Sequence, residues 1–234
     1  MSAHAIDRRQ ALASLAALTV AGVARAAVAD VPTWLMFVLS NPVAGMEAAY
    51  ERWSSETHVR QVASIPGVVG GRFYRRRGAA ADGVPGYLAA YRVETPSMAA
   101  VFAEIRRRLG SGELTVSPAF DVRSVRNLVY RQTAVVGGDV ADADRLLLLA
   151  SEADMAAPRV AHARLRTGII GPDQWSAVPP PAHLSLAEAN HAFDDQVLPA
   201  IPTDAADRPG GIHAVYEAIS AAFDPTGALR AQSR

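Results

Sequence analysis

The chain has 234 residues, 50% of them hydrophobic, and carries no formal net charge, a composition sufficient for one large or two small hydrophobic cores. It contains no cysteine, and all 23 of its basic residues are arginine. Those absences exclude thiolate catalysis, iron–sulfur clusters, thioether-linked haem, lipoprotein anchoring and disulfides, and also a lysine Schiff base or a P-loop lysine.

Residues 1–29 read as an export signal. Asp7-Arg8-Arg9-Gln10-Ala11-Leu12 precedes an uncharged run, Ala11 to Val23, which is too short to span a bilayer at ~20 residues per helix. Small residues follow in Ala24-Arg25-Ala26 and Ala27-Val28-Ala29, either of which suits cleavage. The segment resembles a twin-arginine signal, with Ala11 where that motif usually has Phe, and implies a periplasmic protein; the alternative is an uncleaved N-terminal helix. Charge divides unevenly beyond it: Val31 to Gln132 has 13 Arg against 8 acids, and Thr133 to Arg234 has 7 Arg against 13 acids. Two such halves can attract each other or can present differently solvated surfaces.

Thr33 to Leu39 is a continuous apolar run of strand length. Met46, Tyr50, Trp53, Thr57, Val62 and Ile65 fall at helical spacing, and Pro66-Gly67 ends that helix. His58 lies on the flank of its apolar stripe. Val68 to Arg76 predicts a second strand, and Gly86 to Glu94 a third with Tyr87, Ala89, Tyr91 and Val93 on one face. Thr95 and Pro96 open a second helix with Met98, Val101, Phe102 and Ile105 as its stripe, and Gly110 closes it. Val122 to Gln132 alternates as a fourth strand.

That order, β-α-β-β-α-β, predicts an α+β fold with a ferredoxin-like unit over residues 31–136. Its helices cover one face of the sheet, and the other face needs a partner. Residues 139–234 supply candidates: strands at Asp144 to Ser151 and Val160 to Ile170, a Pro179-Pro180-Pro181 linker, a helix from Ser185 to Leu198, and a last strand from Gly211 to Ser220. LLLLAS echoes LMFVLS, and GIHAVYEAIS echoes GYLAAYRVET, which suggests a degenerate second α+β unit closing a barrel with a cavity between two sheets. The protein is then a self-closed pseudo-dimer; otherwise a homodimer supplies the missing sheet.

Trp53-Ser54-Ser55-Glu56-Thr57-His58, Ile65-Pro66-Gly67-Val68, Arg72-Phe73-Tyr74 and Tyr87-Leu88-Ala89-Ala90-Tyr91 together resemble the EthD-like branch of the dimeric α+β barrel superfamily. In that branch a helix with a W-Y-x-x-E-H-x-P pattern precedes a P-G turn and a strand bearing Arg and aromatics. The chain keeps the Trp, the His and the turn, with Ser54, Thr57 and Arg60 in place of Tyr, Glu and Pro. The resemblance implies a site for a small hydrophobic or aromatic molecule, and relatives include dehydratases, cyclases, isomerases and monooxygenases that need no cofactor.

An imidazole titrates near neutrality, so His58 is the candidate base, with Tyr74, Tyr91 or Arg72 to steady a developing oxyanion. Trp34, Arg72 and Arg126 are the further candidates for binding substrate. The alternative is a structural histidine in a non-catalytic periplasmic binding or accessory protein. No metal-binding pattern joins His162, His183, His191 and His213, and no cofactor motif occurs. Arg75-Arg76-Arg77 and Arg106-Arg107-Arg108 are too short, and point too many ways within their elements, to suggest nucleic acid.

Overall fold

The computed structural model describes residues 31–78, 83–137, 143–152, 163–171, 174, 180–190 and 211–223. The expected signal at 1–29 lies outside them, as do His162 and His191. The elements of the first half are β1 (Thr33–Pro42), α1 (Glu47–Trp53), a π-helical segment (Ser54–His58), α2 (Val59–Ala63), β2 (Val68–Arg76), β3 (Tyr87–Glu94), α3 (Met98–Ser111) and β4 (Phe120–Val136). Four more strands follow: β5 (Arg145–Ser151), β6 (Arg164–Ile170), β7 (His183–Ala189) and β8 (Ile212–Ala218).

The eight strands close an antiparallel barrel in the order β1-β3-β2-β8-β5-β7-β6-β4. Within it the first four strands are arranged β4-β1-β3-β2 and the last four β8-β5-β7-β6. Both halves thus have the same 4-1-3-2 strand order, and the predicted self-closed barrel is what forms. Two seams join them. At one, Tyr74, Arg75 and Arg76 of β2 pair with Ala218, Glu217 and Tyr216 of β8. At the other, β4 is long enough to pair with β1 through its first part and with β6 from Tyr130 onward.

Strand alternation sorts side chains into two layers. Leu35, Phe37, Leu39, Leu88, Leu128, Leu146, Leu148, Leu184 and Leu186 point into the barrel and fill it with apolar groups. The expected cavity between the two sheets is therefore occupied along most of its length by packed leucines. On the outer face of the first sheet, Met36, Phe73, Tyr87, Tyr91, Val93 and Val129 pack against Tyr50, Val59 and Val62 of the first helix and against Met98, Val101 and Phe102 of α3.

The helix ends follow local chemistry. Ser97, rather than Thr95, is the N-cap of α3: its Oγ accepts the Ala100 N–H at 3.4 Å, and Thr95 Oγ1 accepts the Ser97 N–H one step earlier. Gly112, in the left-handed conformation at φ 78°, ends α3, so Gly110 lies inside the helix. Ser185 to Ala189, expected to begin a helix, belongs to β7. Leu184, Ser185, Leu186, Ala187 and Ala189 are all buried, so the segment is covered on both faces and carries no period to tell strand from helix.

The GIHAVYEAIS echo is not a structural equivalence. β8 is the fourth strand of its half and β3 the third of its own, and Tyr216 faces the barrel interior whereas Tyr91 faces the helices. LMFVLS and LLLLAS do correspond: β1 and β5 are the first strands of their halves, with Leu35 and Leu146 both pointing inward.

The basic triplets are engaged in ion pairs. Arg75 reaches Glu51 at 3.2 Å and Glu217 at 3.0 Å, and Arg107 bridges Glu104 and Glu113. Glu217 lies in the acidic second half, so part of the charge asymmetry is matched at the β2–β8 seam. Among the described residues no helix is long and apolar enough to cross a membrane, and no three His, Asp or Glu side chains group to hold a metal.

If the leucine-filled interior holds the two halves together, Leu148→Ala should destabilise the protein by about 2–5 kcal/mol. The half-exposed Leu109→Ala should change stability by less than about 1 kcal/mol. Urea unfolding midpoints of the two variants check this.

Candidate functional site

The first helix is interrupted where its chemistry lies. The Val59 N–H donates to the Ser54 carbonyl, a bond across five residues in place of four, and this widened turn spans Ser54–His58. Such single-turn insertions are frequent at functional sites. Residues five apart in a regular α-helix are rotated by about 140° from one another. Here the widened turn lets His58 stack on Trp53, with ring centroids 4.6 Å apart and planes 30° apart.

An aromatic layer surrounds the pair. Tyr50, one turn earlier, lies 6.0 Å from Trp53, 5.7 Å from Phe73, 5.1 Å from Tyr87 and 6.0 Å from Phe120. Phe73 and Tyr87 stack at 5.8 Å. Three hydroxyls are satisfied: Tyr50 Oη and Ser40 Oγ share a 2.6 Å hydrogen bond, and Tyr87 Oη donates to Glu51 Oε1 at 2.8 Å.

Four buried polar atoms in the same layer have no hydrogen-bond partner among the described residues: Trp53 Nε1, Ser54 Oγ, His58 Nδ1 and Tyr91 Oη. Buried polar groups are nearly always paired, and each left unpaired costs ~1–3 kcal/mol. Four in one layer, three of them within six residues of one helix, call for a ligand or water to complete them. Ser55, which could have bonded the imidazole, donates instead to the Glu51 carbonyl at 2.7 Å. Glu56 and Thr57 are exposed.

Burial sets the electrostatics. Desolvation lowers the His58 pKa from 6.5 to about 4, so the ring is neutral at pH 7. The Tyr91 phenol is pushed well above its ordinary range by burial, with the Tyr50 hydroxyl adding to the effect. Tyr50 is raised by burial too, partly offset by its hydrogen bond with the Ser40 hydroxyl. At neutral pH the site therefore offers a neutral imidazole, an indole N–H donor and hydroxyls that stay protonated.

The sequence-derived candidates divide between faces. His58 and Tyr91 lie in the helix–sheet layer. Trp34 lies in that layer too, with its indole N–H already donated to the Thr95 carbonyl at 2.8 Å. Tyr74 and Arg72 lie on the opposite face of the sheet, inside the barrel, because Phe73 between them faces the helices. Arg126 is at the far end of the interior, where its Nη1 donates to the Gly83 carbonyl at 3.1 Å, beside a pocket of about 330 Å³ lined by Asn41, Val84, Pro85 and Arg123. One site of His58, Tyr74, Tyr91 and Arg72 does not form. Tyr50, Ser54 and Ser40, not among the sequence candidates, belong to the helix–sheet site. Tyr50 sits on the apolar stripe three residues before Trp53, which is the signal that points to it.

No protein-family model and no curated protein matches the chain. Solved structures do match in shape. An anthrone oxidase-like protein superposes with a TM-score of 0.51 at 10% identity, covering 88% of this chain and 98% of its own. A candidate monooxygenase from Fusobacterium nucleatum subsp. nucleatum gives a TM-score of 0.52 at 10% identity, covering 88% of this chain and 100% of its own. At that identity the likeness is one of fold alone, an antiparallel α+β barrel.

The lowered His58 pKa makes stability depend on pH. The unfolded chain takes up the proton near pH 6.5 and the folded chain only near 4. The stability contribution is thus complete above about pH 6.5 and falls as pH drops towards 4, by roughly 3 kcal/mol in all. His58→Phe, which keeps a ring on Trp53, should remove that part of the slope. Equal loss of stability between pH 7 and pH 4 in the two proteins, followed by urea midpoints, would discount the buried imidazole.

Proposed function

We propose that this is an exported small-molecule-binding α+β barrel protein of the EthD-like kind, whose helix–sheet layer takes a small hydrophobic, aromatic ligand. The observation that carries the reading is the set of four unpartnered polar atoms within one aromatic layer, three of them at the π-helical turn of the first helix and the fourth, Tyr91 Oη, on β3. Trp53 Nε1 donates, Ser54 and Tyr91 hydroxyls donate or accept, and His58 Nδ1 accepts or donates according to its tautomer. A phenol or an aromatic ketone matches such a set. That one structural neighbour is an anthrone oxidase-like protein supports an aromatic ligand of this kind.

The chemistry proposed is proton transfer. The neutral imidazole of His58 takes a proton from an acidic C–H next to the ligand carbonyl, and the C–H electron pair moves on to the carbonyl oxygen as an enolate. Hydrogen bonds from Tyr91 and Trp53 stabilise that oxygen. An imidazole depressed to about 4 is a weak base in the empty site, but an adjacent enolate favours its protonated form in a medium of low dielectric. The ring is thus charged only while the intermediate exists. No cofactor is called for in this step.

A second reading, a binding or accessory protein without turnover, is favoured by one observation: among the described residues no carboxylate orients the imidazole, since Nδ1 is unpartnered there and Glu56 is exposed. Fluorescence of Trp53 and Trp34 during titration with a panel of phenols and tricyclic aromatic ketones, together with exchange of the ligand's acidic hydrogen for deuterium, separates the two. His58→Ala should slow exchange by about 10²-fold or more while changing affinity less than tenfold. Unchanged exchange in His58→Ala would remove the base, and an absence of any saturable quenching would remove the site.

Export is tested separately. Protein recovered from the periplasm should begin at Ala27 or Asp30, and an intact Met1 there would overturn cleavage.

A further inference from the structure

Apart from Arg126 at its far end, the charged groups of the barrel interior gather at one end. Arg72 of β2 is 8% exposed and Arg166 of β6 is 7% exposed. Arg166 donates from Nε to Glu188 Oε2 at 3.0 Å and from Nη1 to Gln132 Oε1 at 2.9 Å. Arg72 donates from Nε to the Ser220 carbonyl at 2.9 Å and from Nη1 to the Ala143 carbonyl at 2.6 Å. Among the described residues Arg72 has no carboxylate partner, and Nη2 of neither guanidinium donates a hydrogen bond.

A buried charge is normally paired, because taking an unpaired ion out of water costs several kcal/mol. Backbone carbonyls satisfy donors without neutralising charge. Glu188 is the acid at this end that reaches Arg166, and it is also within 3.6 Å of Arg164. Tyr74 shares the inward row of β2 with Arg72. Its hydroxyl feels Glu188, Arg72, Arg166 and Asp144, yet it makes no hydrogen bond among the described residues. Burial keeps the phenol protonated, with the two acids reinforcing and the two arginines opposing, so it is a donor at any physiological pH.

The side chains beside it are small. Ala90 lies opposite Arg72, Ala218 opposite Tyr74, and Gly70 completes the same inward row of β2. A Cβ added at Gly70 would have its nearest neighbour at 3.7 Å.

We propose that this end of the barrel interior binds a small oxyanion, a carboxylate or phosphate group held by the Arg72 and Arg166 guanidiniums, with Tyr74 donating its hydroxyl proton. Planar guanidinium forks suit either oxyanion. The site is built from both halves of the chain, β2 from the first and β6 from the second, so a bound anion also ties them together. It is independent of the helix–sheet ligand: Phe73 and Tyr74, neighbours in sequence, face the two sites from opposite sides of one strand.

The test uses the full chain with phosphate, sulfate, acetate and benzoate, each against sodium chloride at equal ionic strength. Calorimetric titration and thermal unfolding are the readouts. The expected result is a saturable heat and a Tm rise with at least one oxyanion. Response to phosphate and sulfate alone points to a phosphate-type ligand, and response to benzoate or acetate to a carboxylate. Tyr74→Phe, which keeps the ring in the core, should weaken binding about tenfold, the effect of removing one charge-assisted hydrogen bond. Arg166→Gln should weaken it at least as much, and His58→Ala should leave it unchanged. The proposal is overturned if no oxyanion acts beyond the chloride control, or if Tyr74→Phe and Arg166→Gln bind as the unmodified chain does.

Discussion

A four-stranded sheet with helices on one face and leucines on the other leaves a large apolar surface to water unless that second face is covered. That constraint organises the chain. The uncovered face carries Leu35, Phe37, Leu39, Leu88 and Leu128, and the second half supplies Leu146, Leu148, Leu184 and Leu186 against them. At ~1.5–3 kcal/mol for each large apolar side chain buried, such a set outweighs any surface ion pair in the molecule. Edge pairing follows from it: once the faces meet, β2 lies beside β8 and β4 beside β6, and no edge of either sheet is left open.

The same alternation that builds the barrel decides which side chains can act together. Arg72, Phe73 and Tyr74 are consecutive, yet Phe73 joins Tyr50 and Tyr87 while Tyr74 and Arg72 join the interior. Sequence proximity placed His58, Tyr74 and Arg72 in one imagined cavity, but a sheet intervenes. Strand period 2 was legible in β3, where Tyr87, Ala89, Tyr91 and Val93 share a face as their spacing predicts. Its consequence for the site needed the position of the first helix, which fixes the face opposite His58.

Legibility fell where burial erased the pattern. β1 and β5 read correctly as strands from length and apolar content, and the echo of LMFVLS in LLLLAS marks true equivalents. β7 has similar two-sided burial, but its Leu and Ala spacing also fits a helix, and Ser185 mimicked a cap. The shared Gly, Ala and Tyr of β3 and β8 pointed to equivalence where none exists, since a tyrosine fills either face equally well. The π-helical turn left no mark either. Its bond runs between backbone groups of Ser54 and Val59, which any residue can provide. What could be read was Trp53 and His58 on the helix; that they stack could not.

The two candidate sites show opposite ways of carrying polar groups in an apolar fold. In the helix–sheet layer the atoms are neutral and unpaired: the imidazole has shed its charge, the phenols keep their protons, and the cost of burial falls on missing hydrogen bonds. Inside the barrel, guanidiniums do not discharge under accessible conditions, so burial instead draws carbonyls, Gln132 and Glu188 around them. Neutral unpaired groups favour a ligand that brings hydrogen bonds and aromatic surface. A charged group without a counter-ion favours one that brings charge. Separation by a single strand keeps those demands apart, so that discharge of His58 in its own layer does not depend on what neutralises Arg72 on the other.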